Sequence, residues 1–591
     1  MTIKANTGQS RQKIILLISL VLHLAISISF AFFWAIRSDE AYTMHTTSGD
    51  LSLAIDRAWG FENQPPVYFA LLSIWRDIHP SLFFARFFSI ICIALTTLFI
   101  PGLIRRYAPG TKLWLVLLLF LFNPYTIYIA IDARTYALMI LMGVNAMIFF
   151  HDGFIKENPQ IQTKLMYALL GLLGLMTHYY FAFLFVANGL VLLLTRPWKE
   201  TLSYGLYMLI PVAGLILIIP ELSGQVNSTS SGEGYQGSFL QTGKFVLKMI
   251  DEHFTLGKIP FIHFFRLAII GILSLVISRD FRKIIKNKGK EASPLLIILI
   301  TLFMTFAMIH WLLGPLFVEL KYRYLLLLPM VLLIGYILSL SSEKWPYLLF
   351  IPVILLVYGL GFNYRFSPFY KVEDYKGISA FIEIHESNNQ PIMVYNAVEA
   401  MVLPFHYHGK NEIYSIPVPI DFDQRWDHQK WILRSEEQVQ KVFESVPTPI
   451  DTVWFLSNGK ESYGNISYNR HYLENYIRHN YTVIDSQKFE KRMTLQLLKK
   501  KKQRITHRLQ GFPIKNFSRE KDPVRGQIWV EKDFIPQIFV RLCVVATQSL
   551  TRRREKTINS YQYFIPNGMR IFRFISIRKP WHRSSQKPEL K

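Results

Sequence analysis

Long apolar runs, separated by short polar stretches, dominate the first 362 residues of the chain. The runs at 14–36 and 294–313, for example, contain no Asp, Glu, Lys or Arg. A helix that crosses the hydrocarbon core of a bilayer needs about 20 mostly apolar residues, because lipid cannot hydrogen-bond an open backbone. The pattern therefore predicts eleven transmembrane helices, near residues 14–36, 82–104, 113–131, 135–150, 165–178, 180–195, 203–220, 262–278, 294–313, 322–340 and 346–362.

Some apolar segments of this region allow a second interpretation. The segment at 66–78 is apolar but too short to span, and it begins at the pair Pro65-Pro66. We interpret it as a helix that lies at the membrane edge or dips partway in; a full span here would raise the count to twelve. The spans at 165–178 and 180–195 are also short, which favours bent or tilted helices. The N-terminal segment resembles a signal peptide, but no small-residue cleavage site follows it, so we interpret it as a retained span.

Basic residues in the short loops predict the orientation of the bundle. Cytoplasmic loops of membrane proteins carry an excess of Lys and Arg. With eleven spans, every dense basic loop falls on one side, including Arg105-Arg106 and the run at 279–290. That side is predicted to be cytoplasmic, which indicates a multi-pass protein of the plasma (inner) membrane. The loops at 37–81 and 221–261, and the chain from residue 363 onward, are then predicted to face outward.

Beyond the last predicted span, strand-like apolar runs alternate with helix-like stretches near 376–386, 435–446 and 468–479. The strand-like runs are Ile392–Tyr395, Thr452–Leu456, Tyr481–Ile484 and Met493–Leu498. This alternation predicts an extracytoplasmic α/β domain at 363–498, after a membrane domain at 1–362. The remaining segment, 499–591, has 23 Lys and Arg against 6 Asp and Glu, so it holds +17 of the net charge of +24. We interpret it as a disordered or atypical tail, with binding to an anionic surface as the alternative. Because the basicity is concentrated there, nucleic-acid binding is not predicted.

Composition supports the membrane class. Apolar residues make up 51% of the chain and aromatic residues 15%, which is typical of polytopic proteins rather than of a soluble fold. The two cysteines, Cys92 and Cys543, lie far apart in an apolar run and in the basic tail. They predict neither a disulfide framework nor a cysteine-based metal site.

Two candidate sites lie in the first outer loop. Asp39 and Glu40 follow the first span directly, where burial at the bilayer edge could raise the pKa of a carboxyl group and produce a general base. The alternative is a solvated loop or a helix cap. Glu62 and Gln64 precede Pro65-Pro66, which can start a helix and hold both side chains at a defined height. A plain junction between loop and helix is the alternative.

Further candidate residues lie on three other predicted outer turns. Lys321 and Arg323, followed by Tyr324, place cations at the outer membrane edge, where they would suit the phosphate of an anionic lipid. Snorkelling of membrane-lipid-facing side chains beside an aromatic belt is the alternative. Arg134 lies on a second turn and His178 on a third. A lone His at a helix end is more often structural than catalytic.

The centres of the predicted spans contain almost no charged residues. A charge at the bilayer centre costs about 2.5–3.5 kcal/mol on insertion scales, so charges that are retained there usually mark an ion or proton path. We therefore expect chemistry at the membrane surface rather than coupled transport. The sequence also has no P-loop, no G-x-G-x-x-G before a helix, no H-E-x-x-H and no nucleophile elbow, so no nucleotide cofactor is predicted.

The order of these motifs resembles that of the C-type (GT-C) membrane glycosyltransferases. The resemblance is to the bacterial relatives of the protein O-mannosyltransferases (glycosyltransferase family 39) and of the aminoarabinose transferases of lipid A. It covers residues 10–365 and continues more weakly to 498. The matching positions are Asp39-Glu40, Pro65-Pro66, Ala85-Arg86, Asn123-Pro124, Arg134-Thr135-Tyr136, Thr177-His178-Tyr179, and Arg323-Tyr324-Leu325 with Pro329.

The resemblance implies an enzyme that takes a sugar from a polyprenyl-phosphate carrier and transfers it, with inversion, to a hydroxyl of a lipid, glycan or protein. Asp39 would then be the general base, and Glu40 would assist or position it. Lys321, Arg323 and Arg134 would hold the carrier phosphate.

One position departs from the family pattern. Many relatives have His or Lys just before the Pro pair, whereas this chain has Gln64. Contact with a divalent metal or a phosphate at this position therefore stays open, and Glu62 would partly replace the missing group. No other cofactor is implied.

Two other classes of function compete with a transferase. A flippase or exporter of lipid-linked oligosaccharides would need a polar pathway through the bundle. A membrane-anchored binding scaffold would not need Asp39.

Overall fold

The computed structural model describes residues 2–229, 238–255, 289–341, the single residues 346 and 353, and 374–501 with short gaps. The predicted span at 262–278, nearly all of the one at 346–362, and the tail from residue 502 lie outside the described residues. All features described below belong to one compact unit, which lies within Met1–Leu509.

The described part of the membrane region is helical. Its helices are α1 (Thr2–Phe33), α2 (Ser38–Thr46), α3 (Leu51–Gly60), α4 (Val67–Arg76), α5 (Leu82–Tyr107), α6 (Leu113–Leu121), α7 (Pro124–Ala130), α8 (Tyr136–Phe150), α9 (Ile161–Leu175), α10 (Ala182–Thr195), α11 (Trp198–Thr229), α12 (Phe239–Thr255), α13 (Gly289–Leu313) and α14 (Tyr324–Ser341).

Six of these helices are long and apolar enough to cross a membrane, or seven spans if α6 and α7 count as one. The six are α1, α5, α8, α11, α13 and α14. Helices α9 and α10 are shorter apolar helices, as their predicted lengths indicated. Helix α4, in the ambiguous segment at 66–78, has only ten residues. The structure therefore confirms a polytopic helical membrane protein, and each predicted span inside the described residues contains an apolar helix.

The predicted span at 113–131 is not one straight helix. It consists of α6 and α7, which are bent by 61° relative to each other. Asn123 explains the break, because its side-chain oxygen accepts a hydrogen bond from the backbone N–H of Tyr125 at 2.8 Å and so caps α7. Pro124 then occupies the first turn of α7, where its missing N–H costs nothing.

Close packing of α9 depends on Gly174. A Cβ atom at this position would lie 2.5 Å from the ring of the buried Phe181. We expect Gly174→Ala to lower the free energy of unfolding by about 1–3 kcal/mol, because overpacked cores must shift. Gly205→Ala in α11 is the matched control, since its Cβ would meet nothing within 4 Å. Thermal unfolding in detergent measures both; an equal response of the two variants would contradict the expectation.

The C-terminal part of this unit is a small α/β domain. Its elements are α15 (Tyr375–His385), β1 (Ile392–Tyr395), α16 (Ala397–Val402), β2 (Ile413–Ile416), α17 (Glu436–Glu444), β3 (Thr452–Ser457), β4 (Ser462–Tyr463), β5 (Ile466–Ser467), α18 (His471–Asn480), β6 (Tyr481–Lys488) and β7 (Thr494–Lys500). The five-stranded sheet has the order β2-β1-β3-β7-β6, in which β1 pairs in parallel with β2 and β3, while β7 is antiparallel to β3 and β6.

This α/β domain packs on the helices that follow α1. Arg57 of α3 forms an ion pair with Asp423 at 2.9 Å. The ring of His45, near the end of α2, stacks on Phe422 with 4.5 Å between ring centroids. Lys376 of α15 donates a hydrogen bond to the carbonyl oxygen of Phe33, the last residue of α1. The domain is therefore attached directly to α2, the helix that carries the predicted acidic pair.

Candidate active site

The candidate site lies where several helix ends meet. Helix α2 follows the C-terminal end of α1 and begins with Ser38-Asp39-Glu40. The N-terminal ends of α5 and α8, and the turn before α14, contribute Arg86, Arg134 and Lys321, which all contact the start of α2 or the end of α1. Residues from four distant parts of the chain are thus brought to one end of the bundle.

Glu40 is fully buried and bound by Arg86. The guanidinium donates to both carboxylate oxygens, at 2.8 and 2.6 Å. It also donates to the carbonyl oxygens of Ala31, Trp34 and Ala35 at 2.9–3.0 Å. Ala31 lies in the last turn of α1, where carbonyls have no partner within the helix, and Trp34 and Ala35 follow directly after it. Arg86 and Glu40 together therefore join α1, α2 and α5.

This environment decides what Glu40 can do. Burial alone would raise its pKa, but Arg86, Arg37 and the backbone N–H of Ala133 together outweigh burial and hold the pKa below the ordinary value for Glu. The backbone N–H of Ala133 donates a third hydrogen bond to the carboxylate at 3.1 Å. Both oxygens of Glu40 are occupied by protein donors. Of the two roles that the resemblance implied for this residue, its placement supports positioning.

Asp39 lies at the same helix start but remains accessible, with 35% of its side chain exposed. Its Oδ2 atom lies 2.6 Å from the ammonium of Lys321. Burial would raise the pKa of Asp39, but the cations of Lys321, Arg134 and Arg37 outweigh it, and the pKa lies well below the usual range. Asp39 is thus an ionised, reachable carboxylate.

Arg134 and Glu62 form the wall beside Asp39. The guanidinium of Arg134 lies 3.1 Å from both carboxylate oxygens of Glu62, and both side chains are about 5% exposed. The same guanidinium donates to the carbonyl oxygen of Asp39 at 3.1 Å and to Thr43 at 2.9 Å. Burial raises the pKa of Glu62 above the ordinary value, with Arg134 opposing it. Arg134 therefore fixes the backbone of the predicted base.

A further ion pair was not among the predicted site residues. Arg37, directly before α2, contacts Asp132 at 2.5 Å and also the hydroxyl of Tyr128. Neither residue carries a recognisable motif, so the pair becomes visible only through the packing of α7 against the start of α2. Of these two residues, Arg37 adds a cation beside the acidic pair, as the buried Arg86 does, whereas Asp132 adds a further anion.

Lys321 and Arg323, which were predicted together as phosphate ligands, contact different parts of the structure. They lie two residues apart on a 3₁₀ turn, Leu320–Arg323, where successive side chains are about 120° apart. Arg323 is 2% exposed and pairs with Glu252 of α12 rather than with the acidic pair. The described structure thus places Lys321 in the site, whereas Arg323 anchors its turn to α12.

The other two predicted substrate-binding aromatic residues belong to one cluster. The centres of the His178 and Tyr324 rings are 5.7 Å apart, and both rings pack near Tyr136. His178 also packs near Tyr322. The ammonium of Lys321 lies 5.3 Å from the centre of the Tyr322 ring. His178 is buried, and its Nδ1 accepts a hydrogen bond from the backbone N–H of Tyr180. This aromatic cluster borders the site behind Lys321.

Gln64 and the suggested divalent metal remain less defined. The side-chain oxygen of Gln64 is buried and has no hydrogen-bond partner among the described residues. Its backbone N–H donates to the carbonyl oxygen of Ala58 at 2.9 Å. Within the part of the chain that the structure describes, no group of three His, Cys, Asp or Glu side chains is arranged to hold a metal ion. A metal at this position stays an open prediction.

Comparison with known proteins is informative only at the level of structure. No family of known sequences matches the chain, and a search of curated proteins found no match. ArnT from Cupriavidus metallidurans in the apo state superimposes with a TM-score of 0.52 at 12% identity, covering 83% of this chain and 98% of that one. The protein has the ArnT fold. The structure of the same ArnT bound to undecaprenyl phosphate gives a TM-score of 0.51 at 12% identity, covering 81% of this chain and 97% of that one.

A third solved structure is less similar to this chain. It is the archaeal oligosaccharyltransferase AglB from Archaeoglobus fulgidus in complex with an inhibitory peptide and a dolichol-phosphate, with a TM-score of 0.41 at 11% identity. The alignment covers 74% of this chain and 69% of that one. The match to ArnT confirms the predicted GT-C fold: a helical membrane bundle followed by a small α/β domain.

Proposed function

We propose that the protein is a glycosyltransferase that takes a sugar from a polyprenyl-phosphate donor. It transfers this sugar to an acceptor hydroxyl at the outer face of the plasma membrane. The observation that carries this proposal is the contact between an accessible carboxylate, Asp39, and an ammonium, Lys321, at one end of the bundle. The ArnT-like fold supports this proposal, because the structure of ArnT has been solved with undecaprenyl phosphate bound.

The two charged groups fit the two demands of this reaction. The acceptor oxygen attacks the anomeric carbon with inversion, while the bond from that carbon to the phosphate oxygen breaks. Asp39 takes the proton of the acceptor hydroxyl as general base. Lys321 stabilises the second negative charge that develops on the departing phosphate. Arg134, held by Glu62, keeps the backbone of Asp39 in place.

The direct test uses the full chain purified into lipid nanodiscs. Undecaprenyl-phosphate sugars are supplied as donors, with lipid, glycan and peptide acceptors in parallel. We expect release of undecaprenyl phosphate together with a glycosylated product. If no donor is consumed with any acceptor class, or if undecaprenyl phosphate fails to bind, the proposal is wrong. The product also identifies the sugar and the acceptor class.

The predicted orientation needs a separate measurement. The proposal requires the end of the bundle with Asp39 to face outward, so the loop at 279–293 must be cytoplasmic. We expect a reporter inserted there to be active only if it functions in the cytoplasm. A reporter inserted after residue 501, next to β7, should give the opposite result. An outward report from the 279–293 loop would reverse the orientation and remove the site from the outer face.

A further inference from the structure

Lys321 occupies a position between two carboxylates. Its ammonium lies 2.6 Å from Asp39 and 3.3 Å from Glu319, whose side chain is 45% exposed. An ammonium has three N–H donors. A phosphate that binds Lys321 must therefore share this small group with Asp39 or displace it.

Among the ion pairs around Asp39, the pair with Lys321 determines how readily Asp39 accepts a proton. The charged and titratable groups that face it from neighbouring elements are Lys321, Arg134, Arg37, Glu62, Asp132, Tyr42, Tyr136 and Tyr322. Arg134 pairs with Glu62 and Arg37 with Asp132, whereas Lys321 pairs with Asp39 itself. As long as that pair is intact, the Asp39 carboxylate is a weak proton acceptor, because the adjacent positive charge favours its ionised form.

We propose that Lys321 is handed from Asp39 to the carrier phosphate in each turnover, so that Asp39 becomes an effective base only after the donor has bound. This inference rests on the function proposed above and adds the order of events. The donor phosphate draws the ammonium away from Asp39. The released carboxylate then accepts the proton of the acceptor hydroxyl.

The charges balance through the transfer. Before the reaction, the ionised Asp39, the ammonium of Lys321 and the phosphodiester of the donor together carry one negative charge. Afterwards, Asp39 is neutral because it holds the acceptor's proton, and the carrier is a phosphate monoester with two negative charges. The sum is again one negative charge. One ammonium thus pairs first with the base and then with the leaving group, without a net change of charge in the site.

The hand-off predicts a compulsory order of binding. The donor enters first, and the acceptor is activated second. Release of the carrier phosphate lets Lys321 return to Asp39, which switches the base off in the empty enzyme.

The titration of Asp39 tests the hand-off directly. We would follow the protonated-carboxyl band of the full chain in nanodiscs by infrared difference spectroscopy, with undecaprenyl phosphate as the probe. Asp39→Asn identifies the band by removing it. We expect saturating undecaprenyl phosphate to raise the midpoint pH of this band by about 1–3 pH units, because an opposite charge next to a carboxyl lowers its pKa by about that amount.

Two variants separate the hand-off from a general effect of binding. In Lys321→Gln the midpoint should already be high and should not move further when the probe is added. Glu319→Gln, which changes the other carboxylate beside the same ammonium, should keep the shift. Undecaprenyl phosphate that binds without moving the midpoint would overturn the hand-off and leave the proposed function standing. Failure of the probe to bind would overturn both.

Discussion

Asp39→Asn is expected to lower the rate of sugar transfer by about 10²–10⁴-fold, the usual contribution of a general base. An amide has nearly the same shape as the carboxylate, but it cannot accept the proton of the acceptor hydroxyl. The fold should survive, because Lys321 keeps Glu319 as a partner and the side chain of Asp39 is partly exposed. The measurement is the initial rate of transfer from an undecaprenyl-phosphate sugar at a fixed protein concentration.

Asp423→Asn is the matched control for Asp39→Asn. It makes the same chemical change in another ion pair of this region, that with Arg57, and its side chain is 67% exposed. Transfer by this variant should stay within a few-fold of the parent. Retention of full activity by Asp39→Asn would remove Asp39 as the base and would favour the scaffold alternative, which does not need this carboxylate.

Arg86→Met is expected to be the most destabilising single change around the site, at about 3–5 kcal/mol, because it leaves the buried Glu40 without its counter-charge. The substitution also removes the hydrogen bonds to the carbonyls at the end of α1. Thermal unfolding of the purified protein and its yield from membranes both measure the loss. Activity should fall with the amount of folded protein, whereas Asp39→Asn should lose activity while it remains folded.

Arg106→Met provides the comparison for Arg86→Met. Arg106 also binds a carboxylate through two nitrogens, that of Asp152, but both side chains are about one quarter exposed. We expect a loss of about 0–1 kcal/mol, as for surface pairs. Equal losses in the two variants would show that burial of the pair with Glu40 is not the cause.

The pair of Arg86 and Glu40 also has a predictable pH dependence. The pKa of Glu40 is lower in the folded state than in the unfolded state. Glu40 therefore contributes stability that is fully present above its unfolded pKa, about 4.3. This contribution is lost as the pH falls through the lower pKa of the folded state.

In the double variant Arg86→Met with Glu40→Gln, no buried charge is left without a partner. The loss of folding stability should therefore be smaller than the sum of the losses in the two single variants.

The helical segments and most of the strands were predictable because hydropathy is a local property. About 20 apolar residues predict a span wherever they pack, and the alternation beyond residue 362 predicted β1, β3, β6 and β7. Strand β2 was missed, since Ile413–Ile416 is a short edge strand with only one fully buried residue. The bend between α6 and α7 was also missed, because hydropathy does not register a cap such as that of Asn123.

The location of the candidate base was predictable for a similar reason. Asp39 and Glu40 follow the first span directly, so their place at a helix end comes from the chain itself. The different contacts of these two residues do not come from the local sequence. Glu40 contacts Arg86, 46 residues away, and Asp39 contacts Lys321, 282 residues away. No spacing along the chain predicts such partners.

The sequence by itself therefore determined the membrane class, the helix positions, the α/β domain and the acidic pair after the first span. The tertiary structure decided which carboxylate is buried by a guanidinium and which stays accessible beside an ammonium. It also turned Arg323 towards Glu252 while Lys321 entered the site. The physical reason is that hydrophobic patterning acts over a single helix, whereas pairing of charges depends on which helix ends the folded bundle brings within 3 Å of each other.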